Sequence, residues 1–139
     1  MVSLQCVLRP AAIAAALLLS AASAIGAAHA ADGFPFGTEM TMEALPQPGS
    51  KRIPNLEIGD SGEVVIELWC KGGRGQFSVA GSSLIFVPGE MENRACPPAR
   101  AQADDELIAA LAETTSWKRQ GEMIFFVGPK TLRFRINGN

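Results

Sequence analysis

Hydrophobic and polar residues alternate along most of the chain after residue 33, and the alternation is clearest in Glu63–Cys70. There Val64, Ile66 and Leu68 fall on one side of the chain, and the residues between them fall on the other. Successive side chains of a strand point to opposite faces, so this pattern predicts a half-buried strand. Alternation, or a short run between turn signals, predicts further strands at 34–43, 53–58, 76–79, 83–87, 116–120, 123–127 and 131–136.

Only one segment has helical spacing. Leu107, Leu111 and Thr114 recur on one helical face. The acidic run Asp104–Glu106 is expected at the helix N-terminus, where the macrodipole favours negative charge. An earlier start at Pro97–Pro98 is the alternative, because proline is tolerated in the first turn.

About eight short strands, one helix and frequent turn signals predict a mainly β domain. Because closure removes exposed edges, we expect a small closed or nearly closed antiparallel β-barrel with one α-helix. Lys71–Gly75 is expected to be a turn, and Pro88–Pro98 to be irregular. The helix plugs one mouth of the barrel or packs outside it. Large inward residues favour a filled interior over a hollow one.

Residues 1–30 have the layout of a secretory signal peptide. Arg9 precedes the apolar run Ala11–Ile25, and Ala28–Ala30 forms an A-x-A cleavage site. Cleavage after Ala24 is the alternative. Cys6 precedes the apolar run, so it is not a lipoprotein acceptor. We expect a periplasmic protein whose domain spans 31–139, with no transmembrane anchor in the mature form.

The composition of the mature chain limits the catalytic and metal sites that it can form. The only histidine is His29, and the chain has no tyrosine. Triads that use histidine and histidine-based metal sites therefore lack their base or ligand, and we expect no enzyme activity, no metal and no cofactor. Cleavage at residue 30 leaves 11 basic and 14 acidic residues in 109. This mixed charge argues against a nucleic-acid partner, and we expect a monomer.

The mature chain has two cysteines, Cys70 and Cys96. In an oxidising compartment an even pair predicts a disulfide. A reactive thiol is the alternative, but no CxxC motif or histidine is present to activate it.

Two clusters of charge are candidate binding surfaces. Trp69, Lys71 and Arg74 fall near one expected turn, where an outward tryptophan beside two cations would anchor a partner. The structural alternative is a tryptophan covered by the helix. Arg133 and Arg135 share one face of the last strand and form either an anion-binding face or a solvated face paired with glutamates.

The order of features resembles the META/HslJ-like domain family. The resemblance depends on a glycine-punctuated strand and turn with a cysteine, a hairpin, an Ala-Cys pair, a helix and two final strands. Its residues are Trp69–Gly72, Gly81–Leu84, Arg94–Pro97, Glu106, Leu107, Leu111, Trp117 and Gly121–Met123. The family's usual Gly-Cys-Asn is Trp69-Cys70-Lys71 here. The resemblance implies a small barrel-like β fold with one helix and an association with bacterial envelope and stress proteins.

The leading functional hypothesis is a non-enzymatic periplasmic domain that binds an envelope protein or ligand of unknown identity. The first alternative is an inhibitor of a secreted hydrolase, with Pro88–Asn93 as its candidate loop. The second is a carrier of a small apolar ligand in a hollow barrel.

Overall fold

The protein folds as a closed barrel of eight antiparallel strands with one helix. The computed structural model describes residues 33–138, so the expected signal peptide, residues 1–30, lies outside the described part. Each strand pairs with the next, and β8 pairs with β1. The elements are β1 (Thr38–Met42), β2 (Asn55–Ile58), β3 (Glu63–Glu67), β4 (Gly72–Ala80), β5 (Ser83–Met91), α1 (Pro98–Ala112), β6 (Ser116–Gln120), β7 (Met123–Val127) and β8 (Leu132–Ile136). The predicted fold class is confirmed.

Alternation places every second strand residue inside the barrel, where the side chains form one core. Its centre is aromatic: Phe77 stacks on Phe126 with ring centroids 5.3 Å apart, and Phe126 meets Phe134 at 5.5 Å. Phe34, which precedes β1, contacts both Phe77 and Trp117. The barrel interior is therefore filled with side chains, as the large inward residues predicted.

Strand β4 begins at Gly72, four residues before the predicted strand, so the expected Lys71–Gly75 turn is wrong over most of its length. The glycines are required by close packing rather than by a turn. A Cβ atom on Gly75 would lie 2.5 Å from the Phe86 ring, and one on Gly73 would overlap the Met91 side chain. The inward positions of this part of β4 are thus filled by side chains of β5.

Strand β5 continues to Met91, so the prediction that the chain is irregular from Pro88 onward is wrong for its first four residues. Pro88 is paired with Gly75 of β4. Proline is tolerated here because β5 pairs with β6 only at Ser83↔Ser116, which leaves the later part of β5 without a strand on that side.

Helix α1 contributes one apolar side to the barrel core. It connects the end of β5 to the start of β6, packs against β5, and places Leu107, Ala110 and Leu111 in the same core as the strands. Its apolar residues are therefore continuous with the barrel core, beside strand β5. It starts at Pro98, so the acidic run does not mark its N-terminus: Asp104 lies in the second turn.

Candidate functional site

The expected surface of Trp69, Lys71 and Arg74 is not formed. Strand β3 ends at Glu67, and the Leu68 N–H donates to the Lys71 carbonyl at 2.8 Å. We call Leu68–Lys71 the β3–β4 corner. Because the chain turns there, Trp69 leaves the strand alternation. Its side chain is only 8% exposed, and its Nε1 donates to the Leu45 carbonyl at 3.0 Å.

The two cations of that expected surface have separate environments. Lys71 Nζ lies 3.1 Å from Asp105 Oδ1 on the helix. Arg74 is exposed on the outer face of β4, in register with Val65 of β3. Trp69 is thus buried rather than outward, and the three residues do not provide a shared aromatic and charged anchor.

The predicted disulfide between Cys70 and Cys96 is present. The Cα atoms of the two cysteines lie 6.0 Å apart, and the two residues are 26 positions apart in the sequence. One cysteine belongs to the β3–β4 corner, and the other lies two residues before α1. The bond therefore ties the corner directly to the start of the helix.

Asp104 makes a second connection between the helix and the corner. It is completely buried, and its carboxylate accepts three backbone hydrogen bonds. The N–H of Trp69 donates to Oδ1 at 2.9 Å, while those of Cys70 and Lys71 donate to Oδ2 at 3.1 and 2.7 Å. A carboxylate that accepts several N–H groups satisfies donors that the turn leaves without partners. This role of Asp104 differs from the expected one, in which the acidic run lies at the helix N-terminus.

Two arginines complete the corner from its outer side. Arg52 Nη1 and Arg94 Nη1 both donate to the Cys70 carbonyl at 3.2 Å, and both guanidinium groups pair with Glu67. Arg94 also bonds to Glu92, and this hydrogen bond is the main cause that raises the pKa of its guanidinium above the ordinary value. No periodic signal in the sequence links these residues, which come from three separate segments.

The corner is therefore a structural junction. The N–H groups of Trp69, Cys70 and Lys71 are used by Asp104, both sulfur atoms are used in the disulfide, and the Cys70 carbonyl is used by two arginines. Chemistry by a thiolate would require reduction of the disulfide first. Among residues 33–138, no group of three or more His, Cys, Asp or Glu side chains is placed to hold a metal ion.

Arg133 and Arg135 lie on the outer face of β8, as the alternation predicted. Arg135 Nη2 bonds to Glu43 Oε1 at 2.5 Å, so one of the two arginines follows the solvated-pair alternative. Arg133 forms no salt bridge with the residues that the structure describes. It stands in register with Phe125 of β7, which is itself in register with Lys118 of β6.

Two depressions lie on the surface of the barrel. The first runs beside the part of β6 that β5 does not cover, from Ser82 and Trp117 to Glu122. The second lies at the ends of β1–β3 and is lined by one cation, Arg74, and by the acids Glu39, Glu57, Asp60, Glu63 and Glu122. Both are open to solvent. Within the described range, no helix is long and apolar enough to cross a membrane.

The chain has recognisable relatives by family and by fold. A family model described as the META domain matches residues 37–135. No curated protein matches the chain. An NMR structure of a protein from Burkholderia xenovorans is similar with a TM-score of 0.63 at 16% identity, covering 79% of this chain and 88% of the other. A second NMR structure has a TM-score of 0.57 at 16% identity and covers 72% and 89%. At these identities the likeness shows the fold alone.

Proposed function

The chain belongs to the META domain family, and we propose that it acts as an exported, non-enzymatic binding domain of the bacterial cell envelope. The observation that supports this most directly is the Cys70–Cys96 disulfide. Disulfides form and persist in oxidising compartments such as the periplasm. The signal-like order of Arg9, the apolar run and the A-x-A site points to the same compartment.

The proposed binding site is on the outer surface. The core cluster of inward strand residues and α1 fills the interior, and its members include Phe77, Phe126 and Phe134 at 1% exposure or less. An apolar ligand in the lumen would have to displace packed side chains. The filled core therefore weighs against the carrier alternative.

The inhibitor alternative also loses support. Its candidate loop was Pro88–Asn93, but the first four of these residues lie in β5, where Pro88 and Met91 pair with β4. The next residue, Glu92, donates its N–H to the Gly72 carbonyl at 2.8 Å. Most of the segment is thus held by the sheet rather than presented as a separate loop.

A non-enzymatic role is supported by the composition of the mature domain. Removal of residues 1–30 leaves a chain with neither histidine nor tyrosine. General acid–base and nucleophilic catalysis most often use histidine as the base. A link to stress adaptation is part of the proposal and rests only on the family resemblance.

The test determines which compartment of the producing cells holds the protein and which molecules the protein contacts there. The full-length chain is expressed with a photo-crosslinking residue at an outward position, either Gln76 or Gln120. We expect recovery of the shortened protein by osmotic shock and crosslinks to envelope components. Full-length protein in the cytosol, with crosslinks to cytosolic proteins only, would overturn the proposal. So would turnover of a hydrolase substrate that one carboxylate substitution abolishes.

A further inference from the structure

We propose that the outer face of β6, β7 and β8 is a docking surface for an anionic phospholipid bilayer. We call this surface the basic face, and its principal residues are Lys118, Phe125, Arg133 and Arg135. The inference goes beyond the proposed function, which places binding on the outer surface but assigns it to no particular strands. It concerns the folded domain and does not depend on which envelope component the protein binds elsewhere.

The centre of the basic face is a row of three residues across three neighbouring strands. Lys118 is in register with Phe125, and Phe125 is in register with Arg133. Cβ atoms of directly opposed residues lie about 5 Å apart, so the two cations flank one aromatic ring. Lys118 Nζ lies 5.1 Å from the centroid of that ring. Neither Lys118 nor Arg133 forms a salt bridge with any residue in the range 33–138.

The outward positions on β6–β8 are basic, although the mature chain as a whole is acidic. They include no acid and three cations, of which Arg135 is paired with Glu43 just after β1. The outward positions on β1–β3 show the opposite pattern, with four acids (Glu39, Glu57, Glu63 and Glu67) and no cation. The charge is therefore divided between two adjacent arcs of the barrel, and only the β6–β8 arc attracts a negatively charged surface.

The curvature of the barrel brings the apolar part of the basic face forward. Adjacent strands of a closed eight-stranded barrel turn by about 45° from one another, so a flat surface meets the middle strand first. The middle strand here is β7, whose outward residues Met123, Phe125 and Val127 are all apolar and half-buried. The cations stand on the two flanking strands, Lys118 on β6 and Arg133 with Arg135 on β8.

An apolar centre with cations on both sides matches the interface of a bilayer. Apolar groups reach the acyl boundary, while Lys and Arg meet the phosphate layer. A nucleic acid would favour a continuous basic track, and here an apolar column interrupts it. A protein partner would be favoured by a concave or strongly exposed apolar patch, whereas the three apolar residues are each less exposed than Ile85 or Val87 of β5.

The test compares vesicle binding by protein purified in the form that the cells produce. The vesicles are rich in phosphatidylglycerol or contain phosphatidylcholine alone. The charge-reversal variant is Lys118→Glu with Arg133→Glu. Its matched control is Lys51→Glu with Arg74→Glu, two exposed residues away from the basic face that give the same change in net charge. All variants share one N-terminus, so any contribution of residues 1–30 is equal in each.

We expect binding to the anionic vesicles that falls with added salt, and none to phosphatidylcholine alone. One cation near an anionic surface is worth about a fivefold change in affinity, so the reversal variant should bind at least about 25-fold more weakly than its control. Phe125→Ser should weaken binding by about fivefold, whereas Ile85→Ser should not. Thermal unfolding of each variant verifies that it is folded.

Three results would overturn the inference. The first is equal binding by the reversal variant and the wild-type protein. The second is an equal loss in the Lys51 and Arg74 control, which would assign binding to net charge alone. The third is binding of soluble poly-glutamate as tight as binding of the vesicles, which would assign the basic face to an acidic protein. Failure of this test leaves the proposed function intact, because export and envelope crosslinking are measured separately.

Discussion

The carboxylate of Asp104 in α1 lies 2.7 Å from the backbone nitrogen of Lys71 in the β3–β4 corner. The same side chain also accepts the N–H groups of the two preceding residues. A single buried acid thus accepts three backbone N–H groups of the corner and connects the corner to the helix. The disulfide connects the same corner to Cys96, two residues before α1.

We predict that Asp104→Ala strongly destabilises the domain. The substitution leaves three backbone donors without their acceptor in a buried site, and each such donor costs about 1–3 kcal/mol. We expect the free energy of unfolding to fall by at least ~3 kcal/mol in urea unfolding. Asp105→Ala is the matched control, because Asp105 is exposed and makes one surface salt bridge, worth ~1 kcal/mol at most. Equal losses in the two variants would show that the buried carboxylate has no special role.

We predict that removal of the disulfide weakens the fold without abolishing it. The Cys70→Ser and Cys96→Ser double variant loses a crosslink between residues 26 apart. The chain-entropy relation assigns about 3–4 kcal/mol to a loop of this length. The check is urea unfolding of the variant beside the wild-type protein with and without reductant. A wild-type protein whose stability does not respond to reductant would contradict the prediction.

We predict that Gly75→Ala is destabilising because the added Cβ meets the Phe86 ring at 2.5 Å. Overpacking of this kind costs about 1–3 kcal/mol. Gly138→Ala is the control, since nothing lies within 4 Å of its Cβ position. The cause is verified in a double-mutant cycle. In a Phe86→Leu background the cost of Gly75→Ala should shrink, and an unchanged cost would place the strain in the backbone instead.

We predict that Trp69→Ala lowers stability by about 3–5 kcal/mol, as expected for a buried aromatic residue in the core. Arg74→Ala should change stability by less than ~0.5 kcal/mol, because Arg74 is exposed. Thermal and urea unfolding of the two single variants measure this directly. A Trp69→Ala protein as stable as the Arg74→Ala protein would mean that the indole does not belong to the core.

Much of the barrel follows from simple alternation. The last three strands begin and end within one residue of their predicted bounds, because turn residues at Gly121 and Gly128–Lys130 delimit them. The errors fall where another constraint dominates. Gly72–Gly75 resembles a turn in composition, but its glycines make room for Phe86 and Met91. Pro88 suggests the end of a strand, but it lies beside the gap between β5 and β6.

The candidate site was less predictable than the fold. The disulfide followed from the number of cysteines and the expected compartment, and both are visible in the sequence. The burial of Trp69 could not be predicted from the sequence, because it depends on where β3 ends and on a contact with Leu45 from a distant segment. Asp104 likewise has no local signal: its partners lie about 34 residues earlier in the chain.

The measurement that tests the account most directly is the intact mass of the protein isolated from the cells that produce it. The protein is alkylated under denaturing, non-reducing conditions before analysis. The account predicts one species, residues 31–139, with neither Cys70 nor Cys96 alkylated. A species that retains Met1 and has all three cysteines alkylated would contradict both export and the disulfide.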